Sequence, residues 1–180
     1  IATYIILSNS DTMYLKRKDY ICDMKELKIE IPYEVFSIDE LKVEDQLLIQ
    51  AAREATSRSY APYSHFHVGA AALLENGIIV SGTNQENVAS PSGLCAERTA
   101  LFYANSQYPD QKVKALAIAA CHADKGIPHT PITPCGACRQ VMLETENRYG
   151  FPIRILLCGE KEVYVIKSAK DLLPFSFDNY

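Results

Sequence analysis

The stretch Cys95-Ala96-Glu97-Arg98-Thr99-Ala100 decides the reading of this chain, because it opens a helix on a thiol and sets a carboxylic acid two residues later. Its counterpart is Pro134-Cys135-Gly136-Ala137-Cys138-Arg139-Gln140, where a second helix starts after a proline-containing loop. Cys135 and Cys138 stand three apart in a first helical turn, so both sulfurs share one face. A helix N-terminus carries unpaired N–H groups and partial positive charge, which lower a thiol's pKa and favour thiolate. Cys95, Cys135 and Cys138 therefore form a three-thiolate set suited to zinc. Structural zinc is usually closed by four protein ligands, whereas catalytic zinc keeps one position for water. His65 and His67 flank Phe66, His122 ends an apolar run and His129 lies among prolines. Spacing favours none of them as a fourth ligand and leaves a distant one open.

Glu97 is too near Cys95 to be a comfortable ligand, but it is well placed to carry a proton to or from an activated water. Standing alone it would read as an acid favoring a helix N-terminus; beside three thiols it reads as the catalytic group. Arg98 and Arg139 each follow a ligand closely, and are expected to offset the thiolates' negative charge through hydrogen bonds. A lone Cys-x-x-Cys is weak evidence, but the two stretches together are a strong signal. Cys22, Cys121 and Cys158 have no paired spacing and read as structural.

Outward from these stretches, Ser37-Ile38-Asp39-Glu40 has the form of a capping box, and Val43, Leu47, Leu48, Ala51, Ala52 and Ala55 recur at helical spacing. A helix is predicted over residues 39–58. Two apolar runs, residues 68–74 and 78–80, are separated by Glu75-Asn76-Gly77, a hairpin signal. Helices are predicted from 96 to about 106 and from 135 to 149, where Gly150 stops the second. Residues 114–121 read as a central strand buried on both faces. Residues 153–158 and 162–166 read as two further strands, and 168–173 as a short last helix. Such an order packs as an α/β fold, a three-layer α/β/α sandwich with a mixed sheet of about five strands. The single domain is expected over residues 37–180. Residues 1–36 read as an N-terminal extension without legible chemistry, with a short strand or extended arm over 28–31 ended by Pro32. Part of the extension is expected to be non-native sequence ahead of a start at Met13 or Met24.

The 180 residues suffice for one substantial core. A formal net charge of −4 offers no field for a phosphate backbone, which argues against nucleic acid as a partner. The opening apolar run, residues 1–7, is too short to cross a membrane and lacks the flanks of an export signal. Reduced thiols and a cytoplasmic location are expected.

Together with Tyr60-Ala61-Pro62-Tyr63-Ser64-His65-Phe66-His67-Val68-Gly69-Ala70 and Asn84-Gln85-Glu86-Asn87, the two cysteine stretches make residues 40–177 resemble the small, homotetrameric cytidine deaminases, in the all-cysteine form of the zinc-deaminase signature. That resemblance implies one Zn2+ per subunit, and hydrolytic deamination of cytidine and deoxycytidine to uridine and deoxyuridine in pyrimidine salvage. In that scheme a zinc-activated water adds at C4 of the base, while Glu97 delivers a proton to N3 and helps ammonia leave. The resemblance further implies that Asn84 and Glu86 grip the ribose hydroxyls, that Phe66 packs on the pyrimidine and that Ala96 offers backbone contacts to the base edge. Residue type alone would make Phe66 core and the other two turn residues. Leu172-Leu173-Pro174-Phe175-Ser176-Phe177 resembles a C-terminal tail that carries an aromatic, here Phe177, into a neighbouring subunit's site. Ser90 departs from the pattern, standing where relatives often have a tyrosine near the subunit boundary, and the N-terminal arm is extra.

Two other readings follow from the same residues. One is deamination of another aminopyrimidine nucleoside such as blasticidin S, against which Asn84-x-Glu86 argues for a plain ribose. The other is a noncatalytic zinc-stabilised module, which needs a fourth protein ligand and leaves Glu97 without a role.

Overall fold

Small and aliphatic residues alternate through residues 66–74 and 113–122, and these two runs pair at the centre of the sheet. The computed structural model describes residues 26–178; Cys22 and the extension through residue 25 lie outside the described residues. In chain order the elements are β1 (Glu34–Ser37), α1 (Val43–Ala55), β2 (Phe66–Leu74), β3 (Ile79–Thr83), α2 (Ala96–Gln107), β4 (Val113–His122), α3 (Gly136–Tyr149), β5 (Arg154–Cys158) and β6 (Glu162–Ile166). They form one six-stranded sheet in the order β1-β6-β5-β4-β2-β3. Among the strands of the described residues only β4 and β5 pair in parallel, as expected where a helix makes the crossover between them.

The period of two in each strand sorts side chains into two cores. Ala70, Ala72, Leu116, Ile118, Ile155 and Leu157 face α2 and α3, where they meet Ala100, Leu101 and Met142. Ala71, Leu73, Ala115, Ala117, Ala119 and Leu156 face the other way, against Leu48, Ile49 and Ala52 of α1. The expected three layers are therefore present, with α1 the one α-helix among the described residues on its side. The alanines on the α1 face let that helix lie close. At Gly69 of β2 an added Cβ would fall 2.1 Å from the Ala52 carbonyl oxygen, so no side chain fits there. A buried carboxylate also pins α1, since Arg154 of β5 donates to both oxygens of Asp45, one contact measuring 3.0 Å. Removing the arginine would leave that charge buried and unpaired, at a cost of about 3–5 kcal/mol.

The sheet has six strands where about five were expected, and the sixth is β1. Of the short strand or extended arm expected over 28–31, the strand is not formed; pairing begins after Pro32, at Glu34, along the edge of β6. A proline lacks the N–H that a ladder needs, so the arm joins the sheet only beyond it. The sheet thus starts ahead of residue 37, where the domain was expected to begin. The capping box is present, with the Ser37 N–H donating to Glu40 at 2.8 Å, but it closes a 3-10 turn over Ile38–Glu40, and α1 itself starts at Val43. The last predicted helix is a 3-10 turn over Ala169–Leu172.

Candidate active site

Two helix starts meet at the C-terminal side of the sheet's centre. Cys95 is the N-cap of α2 and Cys135 the N-cap of α3, both with extended backbone and neither helix capped by a side chain. Cys138 follows one turn into α3 and is fully buried. The three Sγ atoms lie within 4.8 Å of one another, with Cys135 at 3.8 Å from Cys95 and 3.5 Å from Cys138. A tetrahedron with Zn–S bonds of about 2.3 Å has edges of about 3.8 Å, so the thiols are spaced as three corners of a zinc site. Among the described residues no histidine or carboxylate joins the cluster. His67 instead meets the Ser59 hydroxyl through Nδ1, His129 pairs with Glu160, and His122 stacks on Phe66. Three soft anionic donors without a fourth protein ligand are the donor set of an open zinc site.

The charge of that set is managed locally. Arg98 donates from Nη2 to the Cys95 sulfur at 3.6 Å, as its position after the ligand suggests. Hydrogen bonding from Cys138 and then the Arg98 guanidinium, acting against burial, bring the Cys95 thiol down to about 5. Cys138, which gives that bond and is itself buried, is pushed up. Arg139 is placed differently from the expectation that it would bond the thiolates. Its Nε donates to the Pro134 carbonyl and its Nη1 to the Leu172 carbonyl, each at 2.9 Å. The side chain reaches backbone because it leaves α3 on the side of the incoming loop.

Glu97 sits in the first turn of α2 with 4% of its surface exposed. Burial, helped by the Cys95 thiolate, holds its carboxyl above the ordinary value, although the helix start opposes this. Glu86 has the opposite environment. It lies near the surface, where Oε2 accepts the Tyr63 and Ser64 N–H groups at 2.9 and 3.2 Å. The Ser64 side chain and these amides hold it below the ordinary value. Two carboxyls pushed apart in this way suit two roles, one exchanging protons and one staying ionised.

A cavity of about 640 Å³ opens beside the thiols. Phe66, Asn84, Glu86, Cys95, Ala96, Glu97 and Arg98 line it, so most of the sequence-derived site residues are brought to one hollow. Cys135, Cys138, Arg139 and Phe177 lie outside that lining, and Phe177 is 68% exposed. Asn84 has a task the sequence did not suggest: Oδ1 accepts the Val68 N–H at 2.8 Å and Nδ2 donates to the Phe66 carbonyl at 2.9 Å. It thereby fixes the start of β2, and with it Phe66, whose ring is backed by His122 at 4.6 Å between centroids. Ile132 and Thr133 also line the cavity. They precede Cys135 in a loop whose course no periodicity announces, and their only sequence signal is nearness to a ligand.

The same region matches a family model, the cytidine and deoxycytidylate deaminase zinc-binding region, over residues 42–149. The chain belongs to that family. Among its relatives, the cytidine deaminase of Mycobacterium tuberculosis is 40% identical over 129 residues, covering 70% of this chain and 84% of the relative. That of Halalkalibacterium halodurans is 46% identical over 99 residues, covering 55% and 70%. The crystal structure of cytidine deaminase from Burkholderia pseudomallei superposes with a TM-score of 0.62 at 41% identity, covering 73% of this chain and 97% of its own. The Mycobacterium tuberculosis structure gives 0.60 at 33% identity, covering 77% and 100%. The chain therefore has the cytidine deaminase fold and a zinc-binding region that its own three thiols fit. About a quarter of it has no counterpart in these two structures.

Proposed function

We propose that the protein is a zinc-dependent hydrolase that converts cytidine and deoxycytidine, with water, to uridine and deoxyuridine and ammonia. The observation that carries this reading is the buried Glu97, with its raised pKa, lining one cavity together with Cys95, which belongs to an open three-thiol zinc site. Cys95, Cys135 and Cys138 would hold the zinc, which when bound would supply Lewis acidity to activate water near neutral pH.

The chain's own groups do the remaining work. Glu97 takes a proton from the attacking water and passes it to N3 of the base as the C4–O bond forms. It then takes the proton of the new C4 hydroxyl and carries it to the amino group, so that C4 becomes a carbonyl, the C4–N bond breaks and ammonia leaves. A carboxyl lifted toward neutrality by burial exchanges protons more readily at physiological pH than an exposed one. Phe66 packs on the pyrimidine and the Ala96 backbone meets the base edge. Glu86, tied through Oε2 to the Tyr63 and Ser64 amides, presents a fixed carboxylate to the ribose hydroxyls beside Asn84. Arg98 steadies the Cys95 thiolate.

A homotetramer in which Phe177 enters a neighbour's cavity is part of the proposal, supported by the exposure of that ring on a C-terminal tail. So is a role in pyrimidine nucleoside salvage. Ligand thiols have to stay reduced to bind zinc, which favours the cytoplasm, and among the described residues no helix is long and apolar enough to cross a membrane. The test is to offer the zinc-loaded protein cytidine, deoxycytidine and blasticidin S separately and to measure nucleoside product and ammonia. One ammonia per uridine formed from the plain nucleosides is expected. Turnover of blasticidin S alone would shift the substrate class, and no turnover of any by folded, zinc-loaded protein would contradict the reading.

A further inference from the structure

We propose that Arg139 is a positioning residue that braces the ligand Cys135 against the C-terminal segment of its own subunit, a role that rests on the zinc-deaminase reading. Between the end of β4 and Cys135 the chain runs through an irregular loop containing Pro128, Pro131 and Pro134. Cys135 is exposed, and as N-cap it receives no help from a capping side chain. The residue before it is a proline, which has no N–H and offers the backbone only a carbonyl. That carbonyl is taken by Arg139 Nε at 2.9 Å. The other end of the guanidinium holds the Leu172 carbonyl, also at 2.9 Å.

Leu172 is a firm abutment. Its side chain is buried in the same core as Cys138 and Met142. The turn that begins three residues earlier is held to α3 by Glu146, which accepts the Ala169 N–H at 2.7 Å, the Ser168 hydroxyl at 2.5 Å and the Ile153 N–H at 3.1 Å. One arginine therefore ties the last backbone group before a metal ligand to a fixed point in the core. Gln140, next along α3, extends the contact by donating to the Phe177 carbonyl at 2.8 Å. The two arginines divide the work: Arg98 acts on a sulfur, Arg139 on the peptide that carries one. Only a planar fork spans two carbonyls in this way, since a lysine ammonium is a compact point charge.

The test compares wild type with Arg139→Ala, Arg139→Lys and, as control, Gln46→Ala, which removes a side-chain bond to the Leu41 carbonyl far from the thiols. Zinc release to a chromogenic chelator and the thiolate charge-transfer band of the cobalt(II)-substituted protein are measured on each. Loss of such a support is expected to speed zinc release by about 10- to 100-fold in Arg139→Ala and to shift the cobalt band. Arg139→Lys, which keeps the fold while holding one carbonyl, is expected to lie between, and Gln46→Ala to match wild type. Release and spectrum unchanged in both Arg139 variants, or equally altered in Gln46→Ala, would overturn the proposal. Cytidine turnover by the wild type is scored separately, so a wrong substrate assignment leaves the metal readouts interpretable.

Discussion

At the scale of single residues, the site works by giving like groups unlike surroundings. Cys95 and Cys158 are both free cysteines, yet the first is drawn down to about 5 by Cys138 and Arg98, while burial pushes the second up to about 12. A thiol is ionised above its pKa, so in zinc-free protein at pH 7 Cys95 is thiolate and Cys158 is not. Brief treatment with iodoacetamide followed by peptide mass mapping is therefore expected to label Cys95 well before Cys158. Labelling of Cys95 should slow as the pH falls through about 5, and zinc should protect it. The clustering of Cys95, Cys135 and Cys138 was legible because two of them share a helical turn and all three stand at helix starts, a rare pattern. The partners of Arg139 and Glu86 were not, because Pro134, Leu172 and Tyr63 contribute backbone groups, which have no sequence signature, and Ser64 meets Glu86 only once the loop before β2 is folded. Asn84 shows the same limit: its type suggested a turn and the family resemblance a ribose contact, while its bonds to Val68 and Phe66 appear only once β2 is folded.

At the scale of elements, the chemistry depends on how closely helices approach the sheet. Gly82 of β3 lies so near α2 that an added Cβ would fall 2.3 Å from the Ala100 nitrogen, and Gly69 of β2 is equally crowded by α1. Gly69→Ala and Gly82→Ala are each expected to lower stability by about 1–3 kcal/mol or more in urea denaturation, because backbone has to move. Only Gly82→Ala should also reduce zinc content and turnover, since α2 carries Cys95 and Glu97. Equal zinc content and turnover in the two variants would contradict this assignment. Most element types were legible from periodicity, including both cysteine-led helices and the Asn-Gly hairpin, where Gly77 takes a φ of 85°. The start of the ladder was not legible, because alternation over 28–31 states only a strand-like pattern. Where a strand forms is set by its partner, and β6 offers its edge to residues 34–37.

At the scale of the whole molecule, the cavity beside the thiols is large and one of its proposed parts comes from another copy. If Phe177 completes a neighbour's site, Phe177→Ala is expected to raise KM for cytidine at least several-fold in a protein that sediments as a tetramer. A fully active monomer would contradict that arrangement. The three-layer architecture was readable from the order of elements, whereas which face each helix covers required the register of β2 with β4. The claim on which all of this rests is that Glu97 moves the protons of a zinc-dependent deamination. Its most direct test follows the loss of cytidine's ultraviolet absorbance with zinc-loaded wild type and zinc-loaded Glu97→Gln side by side. Removing the proton carrier is expected to cut kcat by about 10²- to 10⁴-fold with zinc content and fold unchanged. Equal rates in the two proteins would contradict the role given to Glu97.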